Sequence, residues 1–237
     1  MNRIQTLAGF VFLLSLFGSA GAADPIPPSA MLTATAKIKA PACNASVSGN
    51  IDYGVISHSL LNPTKTTQLK SNGTSLNITC ESDTFLRFKV TDEKPGTAIS
   101  LGTGYVPILF GSETTSVGTS NLLGLGKSTN GVPIGGYVLQ FGTPTVVNSA
   151  GTSMSTRVII SATPAGSISG GGFAQTYYDR STPYIGTATS SDGLTPAKGK
   201  TFLFPLAVVA IINKSTAFSA TDTVELSGKI TMEIVYL

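Results

Sequence analysis

The sequence predicts an all-β protein, a sandwich or barrel of short strands. Three observations carry that reading. β-rich runs recur between intervals crowded with Gly, Pro, Ser, Thr and Asn. No stretch keeps the period of an amphipathic helix. Charged residues make up only 11% of the chain and glycines number 26, where an ordinary domain is about one quarter charged.

Residues 1–22 read as a secretory signal: Arg3 at the start, an apolar core from Leu7 to Phe17, and small residues Ala20–Ala22 for cleavage. The core is too short to cross a bilayer as a helix, which needs about 20 apolar residues. Cleavage leaves a chain beginning near Ala23, with residues 23–31 as an N-terminal extension and 32–237 as one domain. No membrane span is expected after cleavage. The other long apolar run, Phe202–Ile212, contains Pro205 and reads as a buried strand.

The expected strands follow in order: 32–40, 75–80, 85–92, 105–110, 136–141, 156–163, 202–212 and the C-terminal stretch from Val224. Residues 111–135 and 164–200 carry many small residues and read as long surface connections. Neither looks like a linker, because strands on both sides are needed to complete one sandwich.

The last strand alternates strictly. Val224, Leu226, Gly228, Ile230, Met232, Ile234 and Tyr236 hold even positions, and Glu225, Ser227, Lys229, Thr231 and Glu233 hold odd ones. Side chains alternate faces along a strand, so this segment has an apolar face and a wet one. The free N-terminus shows the same parity: Ile26, Pro28, Ala30, Leu32, Ala34, Ala36 and Ile38 are even, with Lys37 and Lys39 opposite. The part before Leu32 has no evident partner within its own fold.

Charge and chemistry exclude several classes. Of 15 basic residues, Arg3 leaves with the signal; 14 basic against 12 acidic residues gives a net charge of +2. That predicts no nucleic-acid partner and no polybasic membrane face. Cys43 and Cys80 are the only cysteines, and an oxidising compartment favours a disulfide between them. "GLGKST", Gly124–Thr129, lacks the earlier glycine of a phosphate loop, since Asn121 stands there. His58 is the single histidine, too few for a transition-metal site beside a bonded cysteine pair. A Ser-His-Asp set using His58 with Asp52 or another carboxylate is the route left to a hydrolase. The carboxylates are scattered and no two are placed for acid–base work. No enzyme activity, cofactor or metal is expected. Tyr177, Tyr178, Arg180 and Tyr184 cluster residue types favoured at binding surfaces, and form the candidate ligand surface.

Taken together these features resemble the pilin subunits of bacterial chaperone–usher fimbriae. The set comprises a signal and short extension, a first cysteine in "IKAPACNASVSG", a second 37 residues on that ends "LNITC", and a close on "KITMEIVYL" with a penultimate tyrosine. "GNIDYGVISHSLL", Gly49–Leu61, is similar to a longer, pilin-like family of exported proteins, described as a domain of unknown function or as fimbrial. The resemblance implies an immunoglobulin-like (pilin-type) β-sandwich that lacks its last strand. It implies an acceptor groove along Leu226, Ile230, Met232, Ile234 and Tyr236, filled by a periplasmic chaperone during export. In a fibre, a neighbouring subunit's extension would replace the chaperone, with Ile26, Ala30, Leu32 and Ala34 as donor residues. An outer-membrane usher is the further partner and a host receptor a conceivable one. The location implied is the periplasm in transit, then a surface fimbria serving adhesion. Pro25, Pro27 and Pro28 have no amide proton and suit a doubly bonded strand poorly, which shifts the inserting stretch towards Ser29–Ile38. The alternative is a soluble periplasmic binding protein whose sandwich is completed by its own residues.

Overall fold

The computed structural model describes residues 42–101, 117–166, 173, 175–189, 193–219 and 224–236, all within one compact unit, Lys39–Leu237. The strands are β1 (Cys43–Val47), β2 (Thr67–Gln68), β3 (Asn72–Thr84), β4 (Leu86–Asp92), β5 (Leu122–Gly124) and β6 (Gly135–Phe141). They continue with β7 (Thr145–Val147), β8 (Ser153–Ser161), β9 (Thr176–Tyr177), β10 (Tyr184–Thr189), β11 (Gly199–Ile212) and β12 (Ile230–Tyr236). Helix among the described residues is limited to single 3-10 turns such as His58–Leu60. The all-β expectation holds.

All strand pairs are antiparallel, and one hydrogen-bonded path runs β1-β3-β11-β7-β8-β10-β4-β12. The path doubles back on itself, so that β4 faces β6 and β11. Phe88 of β4 stacks edge-on against Phe204 of β11 at 5.0 Å between ring centroids and tilts against Phe141 of β6 at 5.8 Å. Leu76, Ile78, Phe202 and Ile185 fill the rest of this core. Burying each such side chain contributes about 1.5–3 kcal/mol. The result is an immunoglobulin-like antiparallel sandwich.

β11 is the central strand, and Pro205 lies inside it. Prolines are normally kept out of central strands because they cannot donate to the ladder. Here Pro205 falls where one neighbour gives way to another: Thr201–Leu203 pair with β7, and Leu206–Ile212 with β6. Its carbonyl still accepts from Gly142 at 2.9 Å.

Two expectations change, and two fall outside the described residues. The strand expected at 32–40 lies outside the described residues; the first one described is β1, beginning at Cys43. The strand expected at 105–110 also lies outside them. Residues 117–135 are not a surface connection, because β5 buries Leu122 and Leu123 against β6 and its surroundings. The stretch 164–200 contains β10, an internal strand between β4 and β8. Its sequence, "YIGTAT", is small because space is short: a side chain on Gly186 would meet Arg87 Cγ at 2.9 Å. Small residues chosen for close packing look like loop residues in the sequence.

Candidate functional site: a seam between two strand edges

The path has two ends, and they face one another. β12 pairs only with β4 among the described residues, and β1 only with β3. Between them runs a groove of about 440 Å³, lined by Ala45, Val47, Leu125, Tyr137, Ile230 and Met232.

The ladders show which backbone groups point into it. Glu93 donates to the Lys229 carbonyl at 3.0 Å. Antiparallel pairs alternate between hydrogen-bonded and non-bonded, so Thr231, Glu233 and Val235 bond to β4. The amides and carbonyls of Ile230, Met232, Ile234 and Tyr236 then turn to the seam. On β1 the Ala42 carbonyl accepts from Glu81 and the Ser48 amide donates to Ser75, each at 2.9 Å. The even residues therefore bond to β3, and the backbone of Cys43, Ala45 and Val47 turns to the seam. A bond across it agrees: the Cys43 amide donates to the Tyr236 hydroxyl at 3.1 Å. This link also fixes direction, since Cys43 lies beside the C-terminal end of β12 and Val47 lines the groove with Ile230. The two edges are antiparallel to each other.

The floor is apolar and tight. The chain crosses the Tyr137 ring at Gly228, where a Cβ would come within 2.6 Å of Tyr137 Cε1. No larger residue fits there without displacing the ring. Burial raises the Tyr137 phenol well above the ordinary tyrosine value, and the charges of Asp92 and Tyr178 add to the shift.

Of the expected groove residues, Leu226, Ile230 and Met232 line the cavity. Ile234 packs half-buried against the core beside them. Tyr236 closes the end of the seam through its hydroxyl. The disulfide Cys43–Cys80 forms across β1 and β3 and anchors that same end. The donor residues Ile26, Ala30, Leu32 and Ala34 lie outside the described residues.

The seam continues beyond Leu226. A second chamber of about 720 Å³ shares Ile51, Tyr53 and Leu226 with the groove and adds Leu61, Ile212, Phe218 and Val224. Its near wall is the segment 49–57, which has no strand of its own. Tyr53 pins that segment: its hydroxyl donates to the Val208 carbonyl at 3.0 Å and accepts from the Ala210 amide at 3.1 Å. It fills a gap in the β11 ladder, where the register slips between Val208↔Asn72 and Ile211↔Gln68. Gly54 turns the chain with a left-handed φ of 63° and leaves Val55 fully exposed. The alternation in 224–237 signalled the groove; nothing in the spacing of 49–61 signalled the chamber.

The tyrosine–arginine cluster does not form one exposed surface. Tyr178 is only 3% accessible, so it offers nothing to a ligand; burial raises its phenol. Tyr177 and Tyr184 are half-buried in β9 and β10. Arg180 is exposed, but its guanidinium donates to the Leu122 carbonyl at 2.9 Å. The cluster contains many tyrosines because it packs β5, β6 and β9 together.

His58 Nε2 lies 3.2 Å from the Ser215 carbonyl, and Asp52 accepts from the Gly54 amide at 2.7 Å. Both residues are on the chamber wall, and no hydrogen bond joins them among the described residues. No group of three or more His, Cys, Asp or Glu is placed to hold a metal among the described residues. No described helix is long and apolar enough to cross a membrane.

Residues 32–138 match the family described as "Protein of unknown function (DUF1120)". The chain is 30% identical over 212 residues to Protein GltF of Escherichia coli (strain K12), across 83% of this chain and 84% of that protein. No solved structure matches it. The chain therefore belongs to the family of Protein GltF, with the DUF1120 match running from residue 32 into β6.

Proposed function

We propose that the protein is an exported structural subunit of a bacterial surface fimbria, not an enzyme, and that its seam accepts a strand from another polypeptide. The observation that carries this is that β1 and β12 each pair with a strand on one side only among the described residues and face each other across an apolar groove. A long apolar edge is a hazard for a lone protein and is normally paired, covered or charged. A strand added here would bond to both edges and bury the even side chains of β12, which is recognition by strand addition. Covering four such side chains contributes on the order of 6–12 kcal/mol before ordering costs. The occupants are a periplasmic chaperone during export and the extension of a neighbouring subunit afterwards, with an usher passing one to the other.

Expression in the periplasm with and without a cognate chaperone tests this. A subunit aggregates or is degraded alone, survives with the chaperone, and then forms detergent-resistant ladders. A chain that is monomeric and stable without help has covered its own seam, and the fimbrial reading falls to that of a self-completed periplasmic binding protein.

A further inference from the structure

The second chamber has the make-up of a small-molecule site. We propose that it binds an amphipathic primary amine, whose apolar body fills the chamber and whose ammonium group sits at the rim with Asp52 and Glu225. This goes beyond the strand-acceptor reading and does not rest on it, because every residue lining the chamber lies outside β1 and β12. Its size, about 720 Å³, falls within the roughly 300–1,000 Å³ of pockets that enclose small organic ligands. Ile212 and Phe218 form a closed apolar floor, 3% and 8% exposed. Leu61 and Val224 are half-buried sides. Val55 stands fully exposed on the same wall, apolar surface that the fold itself does not bury. A ligand body placed here takes apolar surface of both partners out of water.

Charge selects the head group. Asp52 and Glu225 are the only Asp, Glu, Lys or Arg side chains on the chamber wall, and both are exposed. The chain as a whole has more basic than acidic residues, 15 against 12, so this mouth opposes the balance of the molecule. The Gly54 amide occupies one oxygen of Asp52. Neither carboxylate pairs with a Lys or Arg among the described residues. An ammonium brings one positive charge and three donors to these acceptors. A carboxylate or phosphate head would meet like charge there, and an alcohol would gain little from it.

The wall is held before any ligand arrives. Tyr53 is bonded into β11 on both sides of its hydroxyl. A carbonyl can only accept, so His58 Nε2 donates to Ser215 at 3.2 Å. The Ser215 amide donates to the Asn62 carbonyl and the Thr216 hydroxyl to the Pro63 carbonyl, each at 2.9 Å. These bonds tie residues 53–63 to β11 and to the turn that follows it. A site already shaped in this way loses little conformational freedom on binding.

The test uses the full exported chain, carried by its chaperone where the lone chain aggregates, with chaperone alone as the blank. Decylammonium, decanol and decanoate share one apolar body and differ only in the head group. Each is titrated by calorimetry below its micelle concentration. Decylammonium should bind about fivefold to tenfold more tightly than decanol, and decanoate most weakly. Asp52→Asn and Glu225→Gln should each weaken decylammonium about twofold to fivefold and leave decanol unchanged. Val224→Lys puts a cation on the wall and should reverse the order of decylammonium and decanoate. The three positions are exposed or half-buried, and thermal melts check that the variants fold. Equal binding of the three probes overturns the choice of head group. Decylammonium binding that ignores all three substitutions lies elsewhere and overturns the site. Absence of binding overturns the proposal outright. Strand acceptance is read separately, by assembly, and stands or falls apart from these outcomes.

Discussion

β11 is a nearly continuous apolar run and β12 an alternating one, and the two lie at different depths. β11 has neighbours on both sides along almost its whole length, and Phe202 and Phe204 are completely buried. β12 has a neighbour on one side among the described residues, and Ile230, Met232 and Ile234 remain half-buried. Apolar pattern tells how many faces a strand buries, not whether both of its edges are paired. The distinction lies in which edge is paired, and that belongs to the topology.

Changes at the two strands test this contrast. The largest effect is expected at Phe204→Ala, which removes the ring stacked on Phe88 and should cost about 3–5 kcal/mol in urea unfolding. Its counterpart Ile234→Ala should cost the lone chain much less, because the site is already half open. Equal losses would mean that β12 is as enclosed as β11. Next, replacing Cys43 and Cys80 together by Ala should cost roughly 3–4 kcal/mol on the chain-entropy account of a 37-residue separation. Thermal melts under oxidising and reducing conditions check it. Gly228→Val should cost about 1–3 kcal/mol through overpacking against Tyr137 and should narrow the groove. The readout is stability together with strand acceptance, and an unchanged value for both would show that the floor yields. The smallest effect is at Tyr236→Phe, which removes the bond to the Cys43 amide and should cost about 0.5–1.5 kcal/mol. Hydrogen exchange at the Cys43 amide should rise accordingly.

Much of this was legible in the residues. The β class, the cysteine pair and the apolar face of 224–237 follow from alternation and compartment chemistry. β10 was not legible, because Gly186, Thr187 and Ala188 are small for packing reasons that only the neighbour Arg87 explains. β5 was hidden by its length, three residues set among turn formers. The tyrosine cluster misled for a related reason: Tyr178 is the residue type of a binding surface, spent on a core. The second chamber was invisible because a segment without a strand builds its wall.

That wall has an unusual foundation. The Tyr53 phenol stands in for a backbone residue in the ladder of β11, so one oxygen atom belongs at once to the buried central strand and to the chamber wall. The two cannot evolve independently. Any change that loosens the loop around Gly54 also opens a hole in the central sheet, and selection for folding alone would therefore preserve the shape of the chamber wall.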